Sequence, residues 1–286
     1  MKRFFGLFFF LLFTIFLWIA GCGNGNPSSV VPSEDGASPS PSPPSPLQSS
    51  DSVVPPTDSR HSQETSTSNA PEESSPPSTG YYVDDKSFIR PVDPDRNKEK
   101  ILLLTFDDSP SGKSTTKILD ILDKYHAKAI WFVNGYYAEK HQDLLKEIHD
   151  RGNLIGNHTW WHENLKKISP EKTKEEIVSL NDLIEKVTGV RPVYFRPPFG
   201  VNSEAAFNVL KDEKMQSMNW TWGSLDWVLK KPAEIEKNVL DHVKSGSNIL
   251  FHDKEVTAEA LEAILKKLSD EGYHFVLPTE VKVKSP

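Results

Sequence analysis

Between Ile101 and Leu277 the chain repeats a single alternation: a short apolar run, a stretch with helical spacing, then another apolar run. Ile101-Leu102-Leu103-Leu104-Thr105-Phe106 is continuously apolar apart from one Thr and ends in Asp-Asp, the pattern of a strand buried on both faces. Helical spacing at Ile118, Ile121 and Leu122 follows within Ser114 to Lys124. Strand-like Ala129–Val133, a helix over 138–150 and strand-like 153–156 come next. Ser169-Pro170 opens an amphipathic helix through Val187, with Ser169 as N-cap and Pro170 at the first helical position. The remaining order is strand 193–195, helix 203–211, strand 215–222, helix 232–244, strand 248–251, helix 257–270 and strand 274–277. Such alternation predicts an α/β fold with parallel strands covered by helices. Seven or so repeats favour a barrel over an open sheet.

The first 80 residues are of another kind. Lys2-Arg3 precede an apolar run from Phe4 to Ala20, the pattern of an export signal. Left uncleaved, those 17 residues sit at the lower limit for spanning a bilayer. Ile19-Ala20-Gly21-Cys22 looks like a bacterial lipobox, in which the cysteine is lipidated and becomes the mature N-terminus. Cys22 is the single cysteine, so intramolecular disulfides and cysteine-rich metal knuckles are excluded. From Gly23 to Thr79 the chain is Ser, Pro, Thr, Asn and acids, with 12 of the 22 prolines between Pro27 and Pro77. A segment with so little to bury is expected to stay disordered and to act as a tether. The expected organisation is a lipoprotein signal over 1–21, a Ser/Pro-rich linker over 22–80 and a folded domain over 81–286, outside the cytoplasm and anchored to the cell membrane.

Charge divides along the same lines. The leader carries +2 and residues 27–79 carry −6, so the formal −7 leaves −3 for residues 80–286. No stretch supplies the cationic face that nucleic acid requires. Gly135 and Gly200 stand alone, so no Gly-rich phosphate loop supports a nucleotide cofactor.

Polar residues gather just after the predicted strands, where barrel active sites are built. Asp107-Asp108 ends the first strand, and two adjacent acids there can serve two purposes, one on a metal and one on a proton. His158-Thr-Trp-Trp-His162 follows the third strand, and its four-residue spacing would place both imidazoles on one face of a helical turn. Two His and one carboxylate with open positions suit catalytic zinc, and equally cobalt, manganese or ferrous iron. Arg196-Pro-Pro-Phe-Gly200 is a proline-stiffened loop at another strand end. Asp226 lies between Trp222 and Trp227, and His252 ends the strand Ile249-Leu250-Phe251.

Taken in order, these five segments make residues 101–277 resemble the polysaccharide deacetylase (NodB-homology) domain of carbohydrate esterase family 4. The resemblance implies a distorted (β/α) barrel of about seven strands, a divalent metal (zinc first, with cobalt, manganese or nickel possible) and removal of acetyl groups from acetylated sugars. By position it makes Asp107 the general base and Asp108, His158 and His162 the metal ligands. Arg196 would orient Asp107, His252 would be the general acid, and Asp226 would tune it. A backbone amide near Phe199 would help carry the oxyanion, and Trp227 and Leu250 would form the pocket for the acetyl methyl. Two positions depart from the family pattern: Ser109 stands where Gly is usual, and Phe199 where Tyr is commoner. The expected substrate is an N-acetylated cell-wall glycan, and the expected state is a monomer. An ester deacetylase acting on acetylated xylan shares the site, and a catalytically silent wall-binding lipoprotein is the reading from a different class.

Overall fold

The computed structural model describes residues 80–283. The expected signal segment, Cys22 and all of the linker but residue 80 lie outside the described residues. Among the described residues no helix is long and apolar enough to cross a membrane.

The chain begins with an antiparallel pair, β1 (Tyr81–Val83) and β2 (Ile89–Pro91), which three-residue lengths hid from the sequence pattern. Then the alternation sets in: β3 (Lys100–Ser109), α1 (Thr115–Lys124), β4 (Ala129–Val133), α2 (Gly135–Lys140), α3 (Gln142–Asp150) and β5 (Leu154–Asn157). It continues with α4 (Pro170–Thr188), β6 (Tyr194–Phe195), α5 (Glu204–Asp212), β7 (Gln216–Ser217) and β8 (Trp222–Gly223). α6 (Pro232–Leu240), β9 (Ser247–His252), α7 (Glu255–Asp270) and β10 (Tyr273–Phe275) complete it.

Seven parallel strands run in the order β7-β6-β5-β4-β3-β9-β8, and β10 adds to the start of β3. The sheet curls into a half-barrel with helices outside it. Alternation along each strand separates two cores. Leu102, Leu104 and Phe106 of β3 face α1 and α7, packing with Ile118, Leu122, Leu261 and Ile264. Ile101 and Leu103 point the other way, into a lumen shared with Ile130, Phe132 and Tyr194. Val83 and Ile89 join that inner cluster, so the β1–β2 pair closes the lumen where the strands begin. Each fully buried Leu, Ile or Phe contributes about 1.5–3 kcal/mol. The same parity puts Thr105 and Asp107 on the lumen face at the open, C-terminal end of β3.

Three expectations are corrected. The helix predicted over 138–150 is two helices, because His141 leaves helical geometry (φ −130°, ψ 51°) and its ring packs onto Gly112, where a Cβ would meet it at 2.9 Å. The strand predicted over 215–222 is also two, because it changes partner: Gln216 and Met218 donate to Val193 and Phe195, whereas Thr221 and Ser224 donate to Asn248 and Leu250. That segment joins the two edges of the curled sheet. The helix predicted over 232–244 ends at Leu240. The N-cap reading of α4 holds, with the Ser169 hydroxyl accepting from the Lys172 amide at 3.2 Å and Pro170 at the first position.

Candidate active site

β3 and β9 are hydrogen-bonded neighbours in which Asp107 pairs with His252. Side chains at paired positions of parallel strands share a face, so residues remote in sequence emerge side by side at the mouth of the lumen. Directly after Asp107 the register against β4 shifts: Asp107 pairs with Phe132 and Ser109 with Val133, leaving Asp108 as an extra residue at φ 57°. This bulge lets both neighbouring acids reach the site, where strict alternation would send them to opposite faces.

Asp107 is buried, and its Oδ1 accepts from Arg196 Nη1 at 2.7 Å. Arg196 is itself completely buried. Its Nη1 also donates to Thr105 Oγ1 at 2.9 Å, its Nη2 donates to the Asn219 carbonyl at 2.9 Å, and its guanidinium lies 4.1 Å over the Phe132 ring. Burial lowers the Arg196 pKa while the Asp107 charge opposes it. Removing either partner would strand a buried charge, which costs about 3–5 kcal/mol. With Oδ1 so engaged, Oδ2 is the Asp107 oxygen that faces the site, 3.6 Å from His158 Nε2.

The histidine pair does not ride on a helical turn, as its spacing suggested. Residues 158–162 form an irregular loop after β5, with Thr159 at φ 67° and His162 at φ 57°. The loop is fixed by hydrogen bonds at every step. Asn157 Oδ1 accepts from the Thr159 amide (2.8 Å), the Glu176 carbonyl from the Trp160 amide (3.0 Å), Glu176 Oε2 from the Trp161 amide (2.7 Å), and Thr159 Oγ1 from the His162 amide (3.1 Å). At the start of α2, the Gly135 and Tyr136 amides donate to the Thr159 and Trp160 carbonyls. Gly135 is required there, since a Cβ would lie 2.3 Å from the Trp160 ring.

This loop brings the imidazoles together with ring centroids 4.8 Å apart. His158 Nδ1 donates to the Arg196 carbonyl at 2.7 Å, which sets the tautomer and leaves Nε2 as a lone-pair donor. Asp108, His158 and His162 each present one ligand atom, all within 4.8 Å of one another. Two imidazoles and a carboxylate are a donor set that fits a divalent metal with open positions. Burial alone would raise the Asp108 carboxyl, but His158, His162, His252 and the Asn134 amide outweigh it and hold it below the usual range. Burial, reinforced by His158, holds the His162 imidazole below its usual value and so in the neutral, ligating form.

Opposite lies the second carboxylate–imidazole pair. His252 Nδ1 meets Asp226 Oδ1 at 2.7 Å, and Asp226 Oδ2 accepts from the His252 amide (2.6 Å) and the Thr257 hydroxyl (2.7 Å). Burial opposes the charge on His252, yet Asp226, Asp107 and Asp108 together raise its pKa. The Trp227 ring stands edge-on to His252 with centroids 5.2 Å apart, and Leu250 is buried two residues before it on the same strand face. Phe199 sits at the rim at φ 59°, 63% exposed, with its ring edge-on to His162 at 4.8 Å.

The structure therefore brings together Asp107, Asp108, His158, His162, Arg196, Asp226 and His252, with Trp227, Leu250 and Phe199 at their margin. Cys22 lies outside the described residues. Sequence reasoning missed Asn134, whose Nδ2 donates to Asp108 Oδ1 at 3.3 Å, although it directly follows β4 and the strand-end rule would have found it. Thr105, Glu176 and Thr257 carry no such signal, since each sits inside a strand or helix and only packing directs it here. Of the eight non-glycine residues at positive φ among the described residues, five (Asp108, Thr159, His162, Phe199 and Leu225) border this site, the clustering expected where geometry is held against local preference. Ser109 is not among them, so the glycine usual at that position is not required for its backbone here. Its buried hydroxyl has no hydrogen-bond partner.

Comparison with known proteins identifies the family. The polysaccharide deacetylase family model matches residues 95–218. The peptidoglycan-N-acetylglucosamine deacetylase of Bacillus cereus is 35% identical over 191 residues, which cover 65% of this chain and 89% of that one. The peptidoglycan-N-acetylmuramic acid deacetylase PdaC of Bacillus subtilis is 35% identical over 193 residues, 67% of this chain but 40% of that protein. The solved structure of PdaC matches with a TM-score of 0.60 at 35% identity, covering 65% of this chain and 89% of that chain. A carbohydrate esterase family 4 pseudoenzyme from Bacillus anthracis matches with a TM-score of 0.59 at 28% identity, covering 62% of this chain and 63% of that chain. The chain thus spans less than half of the PdaC sequence and nearly all of the Bacillus cereus relative. Its strand order, its half-barrel and the relative it matches almost end to end place it in the polysaccharide deacetylase family.

Proposed function

We propose that the chain is a metal-dependent hydrolase that removes N-acetyl groups from cell-wall glycan. The observation that carries this reading is the pairing of Asp107 with His252 across β3 and β9, beside three side chains that fit a divalent metal. Asp108, His158 and His162 would hold that metal, for which zinc is the first candidate. A bound divalent cation supplies Lewis acidity toward an acetyl carbonyl and makes water a better nucleophile near neutral pH.

The residues supply the rest. Asp107 Oδ2 takes the proton from water as it attacks, while Arg196 holds Oδ1 and prevents the carboxylate from turning away. His252 gives a proton to the departing nitrogen, because an amine leaves poorly without one. Asp226 holds Nδ1 of His252, so Nε2 is the nitrogen that donates. The Phe199 ring meets His162, and its backbone amide would supply an oxyanion contact, while Trp227 with Leu250 would offer the apolar wall for an acetyl methyl.

A pseudoenzyme with this fold shows that fold alone does not give activity, so the filled positions matter: every proton-transfer and ligand residue is present here. The leader, Cys22 and the Ser/Pro tract support a lipid-anchored protein outside the cytoplasm that reaches the wall on a tether. The test is mass spectrometry of peptidoglycan fragments and free acetate after incubation with zinc-loaded enzyme. Loss of one acetyl mass per modified sugar is the expected result. Acetate from acetylated xylan but from no N-acetylated glycan would replace this reading with the esterase, and acetate from neither would leave a wall-binding protein.

A further inference from the structure

The metal-ligand loop carries an aromatic surface that the chemistry does not use. Trp161, between the two histidines, is 54% exposed. Its backbone is pinned by Glu176, and its ring is backed by Tyr136 with centroids 5.6 Å apart. Tyr136 is held in turn by Lys140, whose Nζ lies 3.5 Å over its ring, and by Tyr137 edge-on at 5.3 Å. A large indole left in water, yet fixed in place, costs solvation without serving the core, which is the signature of a binding surface.

Its position says what covers it. A hollow of about 410 Å³ runs from Asp108 and His162 to Trp161 and Tyr136. On the far side of the Trp160–Trp161 pair lies a second hollow of about 370 Å³, lined by Glu139, Lys172 and Glu175. The two indoles line both. A ligand leaving the metal ligands in this direction must cross an exposed indole and then meet carboxylates and an amine. A pyranose suits that order, with an apolar C–H face for the ring and hydroxyls for the charged groups.

We infer that Trp161, backed by Tyr136, is a stacking platform for a second sugar of the same glycan strand, next to the sugar that loses its acetyl group. The inference rests on the glycan deacetylase reading and adds a preference for polymer over short substrates. The experiment compares the single sugar N-acetylglucosamine with its β-1,4-linked pentamer, using zinc-loaded wild type, Trp161→Ala, Trp161→Phe and Tyr136→Ala, with metal content measured for each. Stacking of one ring is worth about tenfold. The expected result is a loss of about tenfold in kcat/KM on the pentamer for Trp161→Ala and a smaller loss for Tyr136→Ala. The single sugar should show little change, metal should be retained, and Trp161→Phe should recover most of the loss. Equal losses on both lengths, or none on the pentamer, would overturn the platform. Calorimetric binding of the pentamer separates the two readings. Should wild type bind it without releasing acetate while Trp161→Ala binds about tenfold more weakly, the deacetylase reading fails and the platform stands. Absence of pentamer binding by wild type overturns the platform.

Discussion

Asp107 and Asp108 are neighbours in the chain, yet they belong to two differently built regions. Asp107 continues a ladder with β4 and β9 and leans on a completely buried guanidinium. Asp108 sits in a bulge at positive φ, and its histidine partners are carried by a loop with two more residues at positive φ. The strand-held side takes its geometry from pairing that the whole sheet enforces. The loop-held side takes its geometry from single hydrogen bonds, one donated by Asn134 and the others accepted from backbone amides by Asn157, Thr159 and Glu176. A proton-transfer pair must keep a fixed separation, which a ladder provides. Three ligand atoms must converge on one point, which regular alternation forbids and a bulge with a strained loop allows.

That contrast can be broken by substitution on each side. Asp107→Asn removes the proton acceptor but leaves the Asp108, His158 and His162 set intact. Acetate release should fall by about a thousandfold, while the protein retains its metal as measured by elemental analysis. Loss of metal from this variant would show that the two regions are not separable. Next in size is Asp226→Asn. His252 is raised by Asp226 against the opposing effect of burial, and the acid is active when protonated, so the rate falls as pH rises through its pKa. Without the Asp226 charge the pKa drops, and the alkaline limb of the pH–rate profile should move to lower pH. Activity above that limb should fall by about a hundredfold. An unmoved limb would assign it to another group.

On the loop side the expected effects are smaller and fall on metal rather than on proton transfer. Asn134→Ala takes one hydrogen bond from Asp108 and should weaken metal affinity by about tenfold in a chelator competition. The rate at saturating metal should be nearly unchanged, and a change in rate instead would move Asn134 to the strand-held side. Smallest is Ser109→Ala, which deletes a buried hydroxyl without a partner. It should raise stability by about 1 kcal/mol in chemical denaturation and leave turnover as it was.

How legible this was in the sequence follows the same division. Apolar runs such as Ile101–Phe106 and Ala129–Val133 found their strands because a strand buried on both faces must be apolar throughout. Ser169-Pro170 marked a helix start because capping chemistry is local. Strand-end acids and histidines marked the site because parallel sheets gather their carboxyl ends on one side. The break at His141 was not legible, nor was the change of partner between Ser217 and Trp222, since each depends on a contact with a distant segment. The spacing of His158 and His162 suggests a helical turn, whereas the structure brings the two rings together in a loop. Four residues return to one place in a helix, and they do so equally in a loop with two left-handed residues.

By itself, the sequence determined the alternation, hence the parallel sheet, and the identity of the residues at its strand ends, because both follow from local burial and local chemistry. Only the tertiary structure decided that Asp107 faces His252, that Asp108 is turned out of the ladder, and that Arg196 lies completely buried beneath Asp107. Register, bulge and buried ion pair are relations between segments far apart in the chain, and their energies exist only once the strands are paired.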